Sequence, residues 1–333
     1  MKKILALLLA LWIPAAVLSG CAPQDDSAAS NKLNIVTTIF PAYDWVREIL
    51  GDETDRAEIT TLLDSGVDLH SYQPTVDDIV KISNCDLFLY VGGESDGWVE
   101  DALKNAPNKD RKVIRLLDVL GDSAKAEETV EGMQEEEHDH EEEAHDHEEE
   151  AEYDEHIWLS LKNAQMLVAA ISEALQQTDP ARKDTYAANA AAYVEKLSAL
   201  DGEYRAAVDS GKYKTLLFGD RFPFRYLADD YGLDYYAAFP GCSAETEASF
   251  ETVSFLAGKM DALGLPCVLT IEGTQHKIAE TIVQNTAQKN QQVLTMDSMQ
   301  AVTANDASSG VSYLSIMEKN LSVLKKALGQ EAE

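Results

Sequence analysis

From residue 33 onward, short apolar runs alternate with amphipathic stretches, and the spacing predicts strand and helix in turn. Ile35-Val36-Thr37-Thr38-Ile39 reads as a buried strand, and Pro41 then opens a helix through Tyr43, Val46 and Leu50. Residues 57–63 predict a second strand, ending in a loop over 64–70. Helix is expected over 75–82, strand over 87–91, helix over 98–105 and strand over 113–116. Such alternation argues for βαβ units on a parallel sheet.

The pattern breaks over 126–153, where apolar periodicity vanishes. Residues 127–155 hold 17 Asp or Glu and no Lys or Arg, so like charges repel and nothing can bury a core. A disordered, solvated acidic loop is expected there, with order resuming at Ile157. Over 180–209 the chain predicts one continuous helix. Asp179 suits the N-cap, Pro180 the first helical position and Gly211 the stop. Tyr186, Tyr193, Leu197, Leu200 and Tyr204 recur on one face of it. Thirty helical residues span about 45 Å, long enough to run between two lobes.

The alternation then restarts. Strands are expected over 215–218, 235–239, 268–271 and 293–296, with helices over 222–231, 246–263, 277–287 and 313–328. The expected fold is α/β, with two lobes joined by one long rigid linker helix, each a parallel sheet flanked by helices. The N-terminal lobe would cover 33–179, the linker 180–209 and the C-terminal lobe 210–330.

The front of the chain carries an address. Lys2 and Lys3 precede an apolar run over 4–17, too short for a good membrane span, and Leu18-Ser19-Gly20-Cys21 follows. That ending resembles a bacterial lipobox, which implies a signal peptide over 1–20 and a lipidated, membrane-anchored Cys21. The alternative is an ordinary cleaved signal in which Cys21 is incidental. The small and polar residues 22–31 suit a tether between membrane and folded domain.

Charge and cysteine narrow the function. Losing residues 1–20, with Lys2 and Lys3, takes the net charge from −32 to −34, which argues against nucleic acid or anionic lipid as partner. Besides Cys21 the cysteines are Cys85, Cys242 and Cys267, so at most one disulfide forms within the chain. An oxidising compartment permits a Cys242–Cys267 bridge. No CxxC spacing occurs, which disfavours a thiolate zinc site.

Outside the acidic loop the histidines are His70, His156 and His276, each near a predicted strand end, where open α/β sheets place ligands. Any single one reads equally well as a structural histidine. Three in comparable loop positions point to a transition metal, since neutral imidazole suits zinc better than calcium or magnesium. Within the acidic loop His138, His140, His145 and His147 form two His-Asp-His triplets. They are an accessory arm that collects metal for His156, or else a solvated spacer.

Five segments resemble the metal-binding solute-binding proteins of zinc and manganese ABC importers. They are residues 35–41, the His-Ser-Tyr-Gln-Pro stretch within 66–75, 154–158, Tyr231-Gly232-Leu233 and 313–328. The likeness runs from about 33 to 328, broken only by the acidic loop. It implies an extracytoplasmic binding protein, not an enzyme, that carries Zn²⁺, with Mn²⁺ as the alternative, to a permease and its ATPase as a monomer. The N-lobe ligands would be His70 and His156. Where the family carries its C-lobe histidine or glutamate this chain has Arg221, which cannot ligate a cation. Asp220 takes that place if Pro223 marks an insertion. The last ligand would be His276 or Glu272, with the other in support. Glu245 and a free Cys242 thiolate are weaker candidates. Outside this class, a metal-sequestering surface adhesin remains, whereas a zinc hydrolase is disfavoured because no HExxH occurs.

Overall fold

The computed structural model describes residues 32–104, 106–134, 152–243, 247–273 and 275–330. The first half runs β1 (Leu33–Thr37), α1 (Phe40–Leu50), β2 (Ala57–Thr61), α2 (Val76–Asn84), β3 (Leu87–Tyr90), α3 (Val99–Lys104), β4 (Lys112–Arg115), α4 (Leu116–Leu120) and α5 (Leu161–Thr178). A 3-10 turn, Pro180–Arg182, leads into the long α6 (Lys183–Ser210). The second half runs β5 (Thr215–Arg221), α7 (Arg225–Tyr231), β6 (Asp234–Phe239), α8 (Phe250–Leu263), β7 (Cys267–Thr270), α9 (Lys277–Asn285), β8 (Gln292–Thr295), α10 (Ala304–Ser308) and α11 (Tyr313–Ala327).

The strands form two four-stranded sheets, ordered β2-β1-β3-β4 and β6-β5-β7-β8, with every neighbouring pair parallel. Both halves therefore share one winding, whose order reverses beside β1 and beside β5. Loops leaving the carboxyl ends of the strands at such reversals form crevices. The α/β reading, with two parallel sheets and one long helix, holds.

The expected stripe on α6 is the buried one: Tyr186, Tyr193, Leu197, Leu200 and Tyr204 are all in the core. Its ends differ in detail from expectation. Asp179 precedes the 3-10 turn, but its Oδ2 accepts the Tyr186 hydroxyl at 3.0 Å and caps no amide. Gly211 ends the helix in extended backbone, and a Cβ there would stand 2.9 Å from that of Leu328.

One hydrophobic core spans both sheets. Trp45 of α1 packs edge-on against Tyr313 of α11 with ring centroids 5.2 Å apart, and Tyr204 of α6 donates to the Met317 carbonyl at 2.6 Å. Tyr313 also donates its hydroxyl to the Trp158 carbonyl at 2.7 Å, and Trp158 Nε1 donates to Ser298 at 2.9 Å. A smaller core lies in the second half, around Leu256, Met260 and Ile282. The long helix thus serves as the spine of a shared core more than as a strut between separate bodies.

Three expectations need correction. Helix begins at Leu116, directly after β4, so the fourth strand stops one residue early; Leu116, Leu117 and Leu120 fall on the buried side of that turn. The helix after β5 begins at Arg225 instead of 222, because β5 extends to Arg221 and Pro223 disfavours helical backbone at Phe222 before it. The ends of the acidic loop are also ordered. Ala126 bridges Tyr153, Glu128 takes Arg225 (2.7 Å) and the Tyr235 hydroxyl (2.6 Å), and Lys259 reaches Glu131 at 2.9 Å. Composition could not reveal that the second half supplies cations opposite these acids.

Candidate metal centre

His70 sits in a 3-10 turn, Leu69–Ser71, in the loop after β2. Asp68 caps that turn, its Oδ1 accepting the His70 amide at 3.0 Å. The His70 ring is fixed from behind: Nδ1 lies 2.8 Å from Ser95 Oγ and 3.4 Å from Glu155 Oε2. Ser95 follows two glycines after β3, Gly92 (φ 91°) and Gly93 (φ 89°). A Cβ on Gly93 would come within 2.4 Å of Glu155 Oε1, the oxygen that accepts the Ser95 amide at 2.8 Å. Close backbone approach thus lets Glu155 reach the imidazole.

His156 is held the same way. Asp154 Oδ1 accepts its amide at 2.9 Å and its Nδ1 at 3.0 Å. With Nδ1 occupied in both rings, each presents Nε2 inward, and the two Nε2 atoms are 3.2 Å apart. Where both Nδ1 atoms donate to oxygen, both Nε2 atoms carry lone pairs and face each other as acceptors. A cation between them resolves that opposition. Tetrahedral zinc with bonds of 2.0–2.1 Å would set two nitrogens about 3.3 Å apart. The observed 3.2 Å is close to that spacing. Burial, and then His156, push the His70 imidazolium down to about 3, so His70 is neutral at physiological pH.

The third donor comes from the loop after β6. Cys242 Sγ, a His70 nitrogen and a His156 nitrogen all lie within 4.8 Å of one another. Gly241 makes this approach feasible, since a Cβ there would stand 3.2 Å from His156 Nδ1 and 2.9 Å from the Phe222 carbonyl. The Cys242 amide is held by Glu127 Oε1 at 2.8 Å, from the ordered root of the acidic loop. Burial raises the thiol pKa, and the Asp154, Glu127 and Glu155 carboxylates raise it further. Across the mouth Arg221 joins Asp68 and donates to the Ser243 carbonyl at 3.3 Å. Burial pulls Asp68 upward, but Arg221 outweighs it and holds the carboxyl below its usual range.

Among the described residues, the other sequence candidates do not join this group of donors. The Glu272 carboxylate is consumed by Ser298 (amide 2.6 Å, hydroxyl 2.7 Å) and the Gln300 amide (3.0 Å), so it braces the loop after β8. Asp220 accepts the amides of Arg221 (2.9 Å) and Ile271 (3.4 Å), tying β5 to β7 at the reversal of the second sheet. His276 precedes α9, near enough to Asp220 to act on its charge, and its buried Nδ1 has no hydrogen-bond partner among the described residues. Cys21, His138, His140, His145, His147 and Glu245 lie outside the described residues. Cys85, Cys242 and Cys267 are all free thiols, so the permitted Cys242–Cys267 bridge is not formed.

Sequence reasoning gave no role to Ser95, Asp154, Glu155 or Glu127. The Asp154-Glu155-His156 run was the signal within reach, since two acids beside a ligand candidate are natural partners for its ring.

Two α/β halves with an imidazole pair at their junction are the arrangement expected of a metal-binding solute-binding protein. A family model described as zinc-uptake complex component A, periplasmic (ZnuA), matches residues 35–327, and the chain belongs to that family. It is 34% identical over 331 residues to the zinc-binding lipoprotein AdcA of Streptococcus pneumoniae, covering 99% of this chain and 62% of AdcA. It therefore spans less than two thirds of that relative. To the high-affinity zinc uptake system protein ZnuA of Bacillus subtilis it is 30% identical over 299 residues, covering 90% of this chain and 88% of ZnuA. The crystal structure of the Zn(II)-bound ZnuA-like domain of S. pneumoniae AdcA matches with a TM-score of 0.69 at 29% identity, covering 90% of this chain and all of that domain.

Proposed function

We propose that this chain captures Zn²⁺ outside the cytoplasm and delivers it to the permease and ATPase of an ABC importer. The observation that carries this reading is the pair of Nε2 atoms 3.2 Å apart, each ring anchored through Nδ1. His70 and His156 bind the ion, with Asp154, Glu155 and Ser95 as the partners that orient them. Zinc is favoured over manganese because nitrogen donors bind it more tightly by intrinsic order. The named zinc-binding relatives support the same choice. No bond of the cargo is broken, so the protein needs no catalytic group.

The lipid on Cys21 would keep the chain at the membrane and raise its effective concentration near the permease. Residues 1–20 act as signal peptide in this reading, and His138, His140, His145 and His147 as a low-affinity collecting arm. A core shared by both halves resists wide hinge motion. Loading and release then fall to the loops that carry His70 and Cys242. Among the described residues no helix is long and apolar enough to cross a membrane.

Zinc-limited growth of a strain lacking this chain tests the reading. The intact gene should restore growth and zinc uptake, whereas His70→Ala, His156→Ala and Cys21→Ala should not. Full rescue by the double histidine variant would refute capture at this site.

A further inference from the structure

The family's second-lobe ligand position is filled here by Arg221, and Arg221 is committed to Asp68 and the Ser243 carbonyl. Among the described residues, the side chain that groups with a nitrogen of each ring as a possible metal-holding set is the Cys242 thiol, whereas Asp154 and Glu155 engage the Nδ1 atoms. We infer that Cys242 is the second-lobe ligand, so that the ion is held as a thiolate-containing His70–His156–Cys242 site. This rests on the proposed capture of metal by the histidine pair.

Several independent features support the assignment. Gly241 lets the loop lie against the His156 ring, where any larger residue would hold the sulfur away. Glu127 reaches across from the other half to fix the Cys242 amide at 2.8 Å. The thiol is not spent in a disulfide. With Zn–N of 2.0–2.1 Å and Zn–S of about 2.3 Å, tetrahedral angles bring sulfur and nitrogen to about 3.6 Å. The present separations, at most 4.8 Å, leave about an ångström to close, a shift within the reach of one loop. On binding, the Sγ–H proton passes to solvent, the sulfur lone pair forms the metal bond and one water leaves the ion. No oxidant is required.

The consequence is selectivity. Thiolate is a soft donor that suits zinc and discriminates against manganese more strongly than the carboxylate it would replace. The acidic neighbours Asp154, Glu155 and Glu127 offset the positive charge brought in by the ion and by Arg221.

Cobalt(II) is the probe, because a sulfur ligand adds an intense near-ultraviolet charge-transfer band that nitrogen and oxygen ligands lack. The protein from residue 22 onward, with Cys85, Cys242 and Cys267 present, is titrated beside Cys242→Ser and His70→Ala. The inference expects 1:1 cobalt binding with that band. In Cys242→Ser the band should vanish while histidine-dependent binding persists. Zinc affinity should fall by at least the roughly 10–100-fold that losing an outer partner costs. A wild-type site that binds cobalt through His70 without the band, or a band that survives in Cys242→Ser, overturns the thiolate assignment and leaves the zinc-capture reading standing. No stoichiometric binding sensitive to His70 would bring down that reading itself. Should Cys242→Ser fail to fold, alkylation of wild type decides: zinc must protect Cys242 from iodoacetamide, and equal labelling with and without zinc rejects the ligand.

Discussion

At the residue scale the centre depends on what stands behind each imidazole. Asp154 makes two bonds to His156, so Asp154→Ala should free the ring and weaken zinc binding by roughly 10–100-fold without destroying the fold. Isothermal titration checks this, and an unchanged affinity would show that the ring is oriented by packing alone. Gly241→Ala should act on the other side, lifting the Cys242 loop off His156 and lowering zinc affinity more than thermal stability. That His70 and His156 would come together was legible because histidine is scarce outside the acidic loop and both sit in motifs of the resembled family. The second half was less legible. Asp220, Glu272 and His276 are chemically competent, and residue type cannot show that Glu272 is already saturated by Ser298 and Gln300. Nor does sequence show that Asp220 closes β5 onto β7. The place of Cys242 beside the two rings was dimmed by the lack of a second nearby cysteine, a cue that fails when side chains are brought together from distant loops.

Among the elements, the long helix was the plainest feature of the sequence, because five large side chains keep one face over its whole length. The strands were equally plain, being short apolar runs separated by helices. The five-residue α4 and α10 escaped notice, since helices this short carry too little periodicity to register. The largest misreading was of the acidic segment's ends, whose order depends on Arg225, Lys259 and the Cys242 amide, all distant in sequence. Because α6 lies in a core common to both sheets, Leu197→Ala should cost about 2–5 kcal/mol, as for other large-to-small core changes. Urea denaturation should remain one cooperative transition. Two separate transitions would mean that the halves are independent bodies.

For the whole molecule, buried acids set the response to pH. Burial raises Asp44 from 3.8 to about 6, partly opposed by the Tyr313 amide it accepts at 2.8 Å. Folding therefore disfavours its ionised form. The stabilisation its protonated form gives is complete below about 4 and is lost as pH rises through about 6. At pH 7.5 Asp44→Asn, which keeps an acceptor for Tyr313, should raise stability by up to about 3 kcal/mol, and at pH 4 the gain should vanish. Thermal melts at the two pH values check this, and a gain equal at both would place the cause outside Asp44 ionisation. The acidic arm belongs to this scale too. Deleting 135–151 spares Glu127, Glu128 and Glu131 and should leave the central site intact, whereas a cut beginning at 126 should damage it through Cys242. The most direct measurement is a zinc titration of residues 22–333 without 135–151, beside its His70→Ala and His156→Ala forms. One tight zinc per chain, lost in both variants, is the expected result. Stoichiometric zinc binding that ignores both histidines, or none at all without the arm, would contradict capture between the two halves.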